Sequence, residues 1–575
     1  MPQHNSERRL ASGNEAVAQA ALDSGVALGT GYPGTPSTEI LETFDALGGR
    51  AQWAPNEKVA LEVGIGAAFA GARALVTMKH VGLNVAADPL FTAAYTGVTG
   101  GLVVVSADDP GMASSQNEQD NRRFAVAAGV PMIEPSDSQE AYDFTLLAIE
   151  ISERWRIPVL LRMTTRVCHS ATLVQTKGQL APPNPPNFVR DVPGRVMIPA
   201  YARPAHLRLR AKLAAIAAWN ENDGPTLTWE PSEGSQTLPR WYAAGNEGAR
   251  EARGVGRVAG GPEAPVGGAG GLPTRLGIIT SGISYQHVRE AAPRARVLKI
   301  GLSYPPPVEA MRRFAASVDR ALVVEEGDPY LYEAARTAGI AVEQKPEMYR
   351  FGELNVNRVR RIVAGEVSPE PVLPAGKPPE LCPGCPHRNV FEALRDLDCI
   401  VAGDIGCYTL GVLPPFSAMD TCVCMGAAIG VGLGLRHTLP PEQARKVVSV
   451  IGDSTFVHSG ITGLVEMIYN PPPTGHVLLI LDNGTTAMTG MQEHPGTGRR
   501  LDHQPTGRVV FEDLARTLGI KNVCTVDPIA DSGAIERVLR EALGRDELSV
   551  IIARRPCLLA AGAIKLREKK ANAGE

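Results

Sequence analysis

Two sets of residues in this 575-residue chain have the types and spacing to do chemistry. Gly452-Asp453-Ser454 is followed, after residues 455–481, by Asp482-Asn483-Gly484-Thr485. Each set closes an apolar run, VVSVI or HVLLIL, that reads as a buried strand. Loops at the carboxyl ends of parallel strands are where α/β sheets bind ligands. An Asp carboxylate and an Asn carbonyl on two such loops offer hard oxygen ligands, which suit Mg²⁺ bridging to a diphosphate. Two ordinary strand-to-helix turns would look the same, because GD and NG are common turn dipeptides. The second set is sulfur: Cys382 and Cys385 in LCPGCPHR, Cys407 in GDIGCYT and Cys557 in RRPCLL. A C-x-x-C pair turns two thiolates toward one metal site, and distant loops can add more. Structural zinc and inert buried thiols are the plain alternatives. Inert burial is the expectation for Cys168, Cys399 and Cys524, while Cys422 and Cys424 lie near the candidate loops.

The elements that position these residues alternate. LVVVS, VLLR, LGIITSG, RVLKIG, ALVVEEG and SVIIARR are strand-like runs separated by helical patterns. That rhythm predicts a multidomain α/β chain of Rossmann-like folds with parallel sheets. A helix over 15–27 is expected to end at Gly29, with a turn, GYPGTPS, before the next helix. The periodicity predicts domains at 11–180, 275–365 and 376–565. Residues 181–274 read as a linker and Gly/Pro-rich insertion, with a basic amphipathic helix at 203–220. Residues 245–274 hold ten glycines, too little apolar surface for a core. The net charge of −4 and 21% charged residues argue against a generic nucleic-acid binder. Mean hydropathy is −0.05, and no apolar run approaches the ~18 residues of a membrane span. MPQHNSERRLASGNEAV has no apolar leader. Nine cysteines, an odd number, do not suggest a disulfide framework. A cytoplasmic enzyme is expected.

Taken together the motifs are specific. CPGCPHR, GDIGCYTLG, CMGAAIGVGLG, GDSTFVHSGI and NGTTAMTG, with GYPGTPSTEI, NEKVALEVGIGAAFAGARALVTMKHVGLNVAADPL and SSQNEQDNRR upstream, resemble the 2-oxoacid:ferredoxin oxidoreductases. Among these the resemblance is to the α subunits of the indolepyruvate enzymes, and it covers about 11–170 and 275–565. It implies a thiamine diphosphate enzyme that oxidatively decarboxylates an aryl or branched-chain 2-oxoacid to an acyl-CoA, passing electrons to ferredoxin or a similar carrier. The loops then resemble the thiamine motif GDG…NN, with Ser454 in place of the second Gly and Asp482 in place of the first Asn.

The resemblance also assigns residues. Gly452, Asp453, Ser454, Asn483 and Thr485 would bind the cofactor, with Asp453, Asn483 and the Thr485 carbonyl as Mg²⁺ ligands. Cys382, Cys385, Cys407 and Cys557 would hold a 4Fe-4S cluster. Glu57, with Glu62 as its rival, would hydrogen-bond N1′ of the aminopyrimidine and favour the tautomer that deprotonates C2. A surface Glu at a helix start is the plain reading of either. Thr35 would sit near the substrate carboxylate, or cap a helix. Arg122, Arg123 and Arg166 are candidate carboxylate clamps, because Arg binds carboxylate bidentately. Lys79 and His80 are placed to approach the thiazolium, and Met425 to wedge the cofactor bent. Residues 11–180 become a pyrimidine-binding domain, 275–365 a transketolase-C-like domain and 376–565 the thiamine diphosphate and Mg²⁺ domain with the cluster cysteines.

One departure stands out. The family α subunit commonly carries a ferredoxin-like domain with a C-x₂-C-x₂-C-x₃-C-P run, and this sequence has none. A small β subunit with a γ-type domain and a separate carrier are therefore the expected partners, with a dimer of the α chain inside the hetero-oligomer. Non-oxidative decarboxylation and a catalytically silent subunit are the competing readings.

Overall fold

The computed structural model describes residues 8–178, 180, 185–231, 235–237, 275–371, 379–530 and 533–562. It divides into two compact units. The first comprises Met1–Thr30, Thr35–Ala51 and Leu61–Glu370; the second comprises Gly31–Gly34, Gln52–Ala60 and Pro371–Glu575.

In the first unit, parallel strands Ala74–Lys79, Leu102–Asp108 and Val159–Thr164 lie side by side within a seven-stranded sheet. The last two are buried along their whole length, which is why they read as continuous apolar runs rather than alternating ones. The first helix, Gly13–Asp23, opens with a capping box between Ser12 and Glu15. It ends before Gly29, because Gly25 (φ +70°) already supplies the left-handed turn. Gly29 instead lies inside the strand Leu28–Gly31.

A second sheet in this unit orders parallel strands Arg296–Ile300, Leu276–Ser281, Arg320–Val324 and Glu343–Gln344. The stretch expected to be linker contributes to it. The helix Pro199–Asn222 precedes the strand Thr226–Glu230, which pairs antiparallel with Arg296–Ile300. The Gly-rich residues 245–274 lie outside the described residues.

The second unit is built on one six-stranded sheet, all parallel. Its order is Thr421–Cys422, Ile400–Gly403, Val447–Gly452, His476–Asp482, Leu548–Arg554 and Asn522–Val526. Helices cover both faces, over one core around Phe391, Val450 and Leu479 and another around Phe456, Leu478 and Ile552. From Ile400–Gly403 the chain adds Thr421–Cys422 on one side, then crosses to Val447–Gly452 on the other. The reversal opens a crevice at the carboxyl ends of those two strands, where doubly wound sheets bind ligands. Both GDIGC and GDS emerge there.

Candidate active site and cysteine cavity

The strand Val447–Gly452 delivers Asp453 directly into a helical start, and the strand His476–Asp482 delivers Asn483 on the next loop. Asp453 is buried at 2% exposure. Its Oδ1 accepts from the Ser454 N–H (2.8 Å) and its Oδ2 from the Gly484 N–H (2.7 Å), so one carboxylate ties the two loops together. His494 Nδ1 accepts from the Gly496 N–H (3.1 Å), and its Nε2 lies 3.2 Å from Asp453 Oδ2. Burial pushes the Asp453 carboxyl up, but His494 and the N–H donors outweigh it and hold it below the usual carboxylate range. Asn483 Oδ1 accepts from the Thr485 N–H at 3.0 Å. Asp482 belongs to a different set: it pairs with Arg554 at 2.7 Å, and Arg554 also binds Glu512.

A carboxylate, an amide carbonyl and a backbone carbonyl on adjoining buried loops form a donor set that fits Mg²⁺. Among the described residues no three His, Cys, Asp or Glu side chains converge as ligands of one ion. The Asp453 set holds only one residue of those types. Thiolates of a four-iron cluster each bind a different iron and stand farther apart than ligands of a single ion.

The four cysteines line a single cavity of about 80 Å³, walled also by Leu381, His387, Asn483, Met491 and Leu558. Cys382 and Cys385 share a turn closed by Cys385 N–H to Cys382 O (3.0 Å), just ahead of the helix His387–Asp396. Cys407 follows the strand Ile400–Gly403. Cys557 follows the strand Leu548–Arg554, and its N–H donates to the Asn483 carbonyl at 2.9 Å. Burial and the neighbouring Cys557, Cys385 and Cys382 push the Cys407 thiol up to about 11; burial also raises Cys385. Such a site disfavours several thiolates unless a cation compensates them, so metal binding and proton release go together. Burial pushes His387, on the same wall, down to about 4, which keeps its imidazole neutral at pH 7. Outside this cavity, Cys168 is fully buried, Cys399 and Cys524 are half-buried against the core, and Cys422 and Cys424 are exposed.

Glu57 begins the helix Glu57–Phe69 and is buried at 5%, whereas Glu62 is exposed. Glu57 Oε2 lies 2.8 Å from His458 Nε2. His458 sits in a π-helical turn, Phe456–Gly460, that follows the Asp453 loop. Tyr32, fully buried, packs edge-on against the His458 ring at 4.8 Å. Its phenol is pushed far up by burial and then by Glu57. Met425 is half-buried in the turn before the helix Ala427–Thr438, where Asp404 accepts from the N–H groups of Gly426 and Ala428 at 3.0 Å. His458, Tyr32, His494 and Asp404 were not singled out from the sequence. No spacing rule joins residue 57 to residue 458, and only the strand order exposes Asp404 as a crevice residue.

In the first unit, Thr35 is half-buried two residues ahead of the cap position Ser37, so it is not the helix cap. The expected arginine clamps are all engaged. Arg122, 1% exposed, binds Asp120 and Glu325 and the carbonyls of Glu326 and Asp328. Arg123 pairs with Glu333 and Arg166 with Glu353. Lys79 donates to the Ser114 carbonyl (2.7 Å), and burial lowers its ammonium pKa. His80 is fully buried, with Nε2 3.2 Å from the Asn117 carbonyl.

Residues 404–553 match the thiamine pyrophosphate enzyme C-terminal TPP-binding domain family, and residues 19–182 match the thiamine diphosphate-binding domain of pyruvate flavodoxin/ferredoxin oxidoreductases. With the crevice loops, these define a thiamine diphosphate-dependent 2-oxoacid oxidoreductase. The indolepyruvate oxidoreductase subunit IorA of Archaeoglobus fulgidus is 37% identical, over 98% of this chain and 89% of its own length. That of Methanothermobacter thermautotrophicus is 38% identical, over 96% of this chain and 88% of its own length. The chain belongs to the IorA family. The 2-oxoglutarate synthase subunit KorA of M. thermautotrophicus shares 33% identity over 27% of this chain and 44% of its own length. Among solved structures, the 2-oxoglutarate:ferredoxin oxidoreductase of Magnetococcus marinus aligns over 62% of this chain and 65% of its own, with 17% identity and a TM-score of 0.47. Among the described residues no helix is long and apolar enough to cross a membrane.

Proposed function

We propose that this chain oxidatively decarboxylates an aryl or branched-chain 2-oxoacid, such as indolepyruvate, to the acyl-CoA, with electrons passing to ferredoxin or a similar carrier. The observation that carries this reading is the cavity that gathers Cys382, Cys385, Cys407 and Cys557 and has Asn483 in its wall. A decarboxylase that keeps its electron pair needs no thiol-lined cavity beside its diphosphate loop; an enzyme that releases electrons singly does. The names of the IorA relatives support the substrate class.

Bound thiamine diphosphate supplies the electron sink for decarboxylation, and a 4Fe-4S cluster supplies one-electron transfer. The chain's own residues do the rest. Asp453, the Asn483 side chain and the Thr485 carbonyl hold Mg²⁺, with Gly452 and Ser454 lining the diphosphate loop. Glu57 would hold a proton at N1′, and Met425 would pack against the cofactor. Thr35 orients the substrate carboxylate. The four cysteines hold the cluster. The enzyme works in the cytoplasm as a dimer of this chain with a small β subunit that brings a γ-type domain.

The test is anaerobic EPR of the chain co-produced with that subunit and loaded with thiamine diphosphate and Mg²⁺, then mixed with indolepyruvate and CoA. A reduced-cluster or radical signal that requires the 2-oxoacid is expected. Cys407→Ser should lose the cluster signal and bound iron while still binding thiamine diphosphate. An active enzyme containing no iron would overturn the reading in favour of simple decarboxylation.

A further inference from the structure

We propose that His458 is a positioning residue that fixes the Glu57 carboxylate for its work on the aminopyrimidine; the inference rests on the Glu57 reading above. Both ring nitrogens of His458 are engaged. Nε2 lies 2.8 Å from Glu57 Oε2, and Nδ1 lies 2.7 Å from Ser459 Oγ. A neutral imidazole satisfies both contacts when the Ser459 hydroxyl donates to Nδ1 and the Nε2–H donates to Glu57. The side chains of His458 and Glu57 are 2% and 6% exposed, so the bond is shielded from bulk solvent.

The backbone is clamped as firmly as the side chains. Asn56 Nδ2 donates to the His458 carbonyl at 2.9 Å, while Asn56 Oδ1 accepts from the Val59 N–H in the first helical turn. Two neighbours, Asn56 and Glu57, therefore grip one residue, by its carbonyl and by its ring. The π-helical turn Phe456–Gly460 carries that residue; such turns mark helix segments diverted for function. Tyr32 closes the other side of the ring edge-on.

The consequence is a division of labour between the carboxylate oxygens. Oε2 is committed to His458, which leaves Oε1 to engage the aminopyrimidine. Were the Glu57 proton to pass to N1′ of a bound cofactor, the carboxylate left behind would already be stabilised by the Nε2–H, and the His458 proton would not move. His458 thus biases the proton toward N1′ without touching cofactor or substrate.

The experiment uses the assembled enzyme loaded with thiamine diphosphate and Mg²⁺, without 2-oxoacid. Its readouts are cofactor affinity, the aminopyrimidine tautomer by near-ultraviolet circular dichroism, and exchange of the C2 proton by quenched NMR. His458→Phe keeps the shape and removes the N–H. It should leave affinity within about threefold, weaken the tautomer signal and slow exchange by about tenfold or more, the loss expected for a charge-assisted hydrogen bond. His458→Gln restores a donor and should recover most of the rate, which a purely structural role would not predict. Ser459→Ala, which removes only the Nδ1 partner and stays small, should slow exchange by about threefold, as loss of a neutral hydrogen bond would. Glu57→Gln separates the two claims. If it exchanges at the wild-type rate, the Glu57 reading fails. If it is slow while His458→Phe and Ser459→Ala are normal, only the positioning role is overturned. Should His458→Phe not fold, a normal rate in Ser459→Ala overturns that role alone.

Discussion

Asp453→Asn tests the centre of the site because the carboxylate does two separable things there. It accepts the Ser454 N–H on Oδ1 and the Gly484 N–H on Oδ2, at 2.8 and 2.7 Å, and its Oδ2 lies 3.2 Å from His494 Nε2. An asparagine offers one oxygen. One of the two N–H donors then meets an NH₂ group, and the other keeps only a neutral acceptor. Losing one charge-assisted bond and weakening a second costs about 2–4 kcal/mol at a buried position. For a unit of this size each kcal/mol lowers the melting temperature by about 2–4 °C, so a drop of about 4–16 °C is expected. Unfolding of the metal-free protein followed by circular dichroism reads this first role. Titration of Mg²⁺ against thiamine diphosphate binding reads the second, where the anionic ligand is gone and affinity should fall about a hundredfold. A variant that melts with the wild type refutes the claim that Asp453 ties the two loops. One that melts early yet keeps full Mg²⁺-dependent binding refutes the ligand assignment alone.

Gly452→Ala places a methyl 2.6 Å from Tyr408 Cε1, and the Tyr408 hydroxyl donates to the Ile405 carbonyl at 3.0 Å beside Cys407. Overpacking should cost about 1–3 kcal/mol, and the displaced Ile405–Cys407 turn should lower bound iron; unchanged melting and iron would contradict the close packing. Glu512 is held down to about 2, first by hydrogen bonding from Arg554. Its folded value lies below its ordinary value of 4.5, so the stabilisation is present above pH 4.5 and fades as pH falls through about 2. Denaturation midpoints of wild type and Glu512→Gln should differ at pH 7, modestly because Arg554 is partly exposed, and converge near pH 2; a gap persisting there would mean the pair is not its source.

Strands buried on both faces were legible because apolar side chains dominate them. VVSVIG, HVLLILD and SVIIAR each became a central strand of the second unit. Thr226–Glu230 was not legible, because its residues alternate between buried and half-exposed although it pairs antiparallel on both sides, with Arg296–Ile300 and Ser235–Thr237, and the segment sits between a basic helix and a Gly-rich stretch. The arginines show the opposite failure. Arg122 has the right chemistry for a substrate carboxylate, but besides the adjacent Asp120 it is engaged by Glu325 and the carbonyls of Glu326 and Asp328, which lie some two hundred positions along the chain. Residue type announces what a side chain can bind; only the fold shows whether that capacity is already satisfied.

The cysteines make the same point constructively. C-x-x-C predicts a local pair, but nothing local predicts that Cys407 and Cys557 join it. What brings them together is strand order. Ile400–Gly403 and Leu548–Arg554 are parallel members of one sheet, so Cys407 and Cys557 leave from the same edge. The intervening strands, Val447–Gly452 and His476–Asp482, carry Asp453 and Asn483 to that edge. A parallel sheet therefore enforces the pairing of the Asp453 and Asn483 loops with the thiol cavity, and the Cys557 N–H to Asn483 carbonyl bond is the point where the two meet. Glu57 reaches the second unit by a different route, in a short segment, Gln52–Ala60, that packs with the carboxy-terminal residues. Its address is written in the Asn56 and His458 contacts, which is why the two-residue signature NE at 56–57 matters more than the helix that follows it.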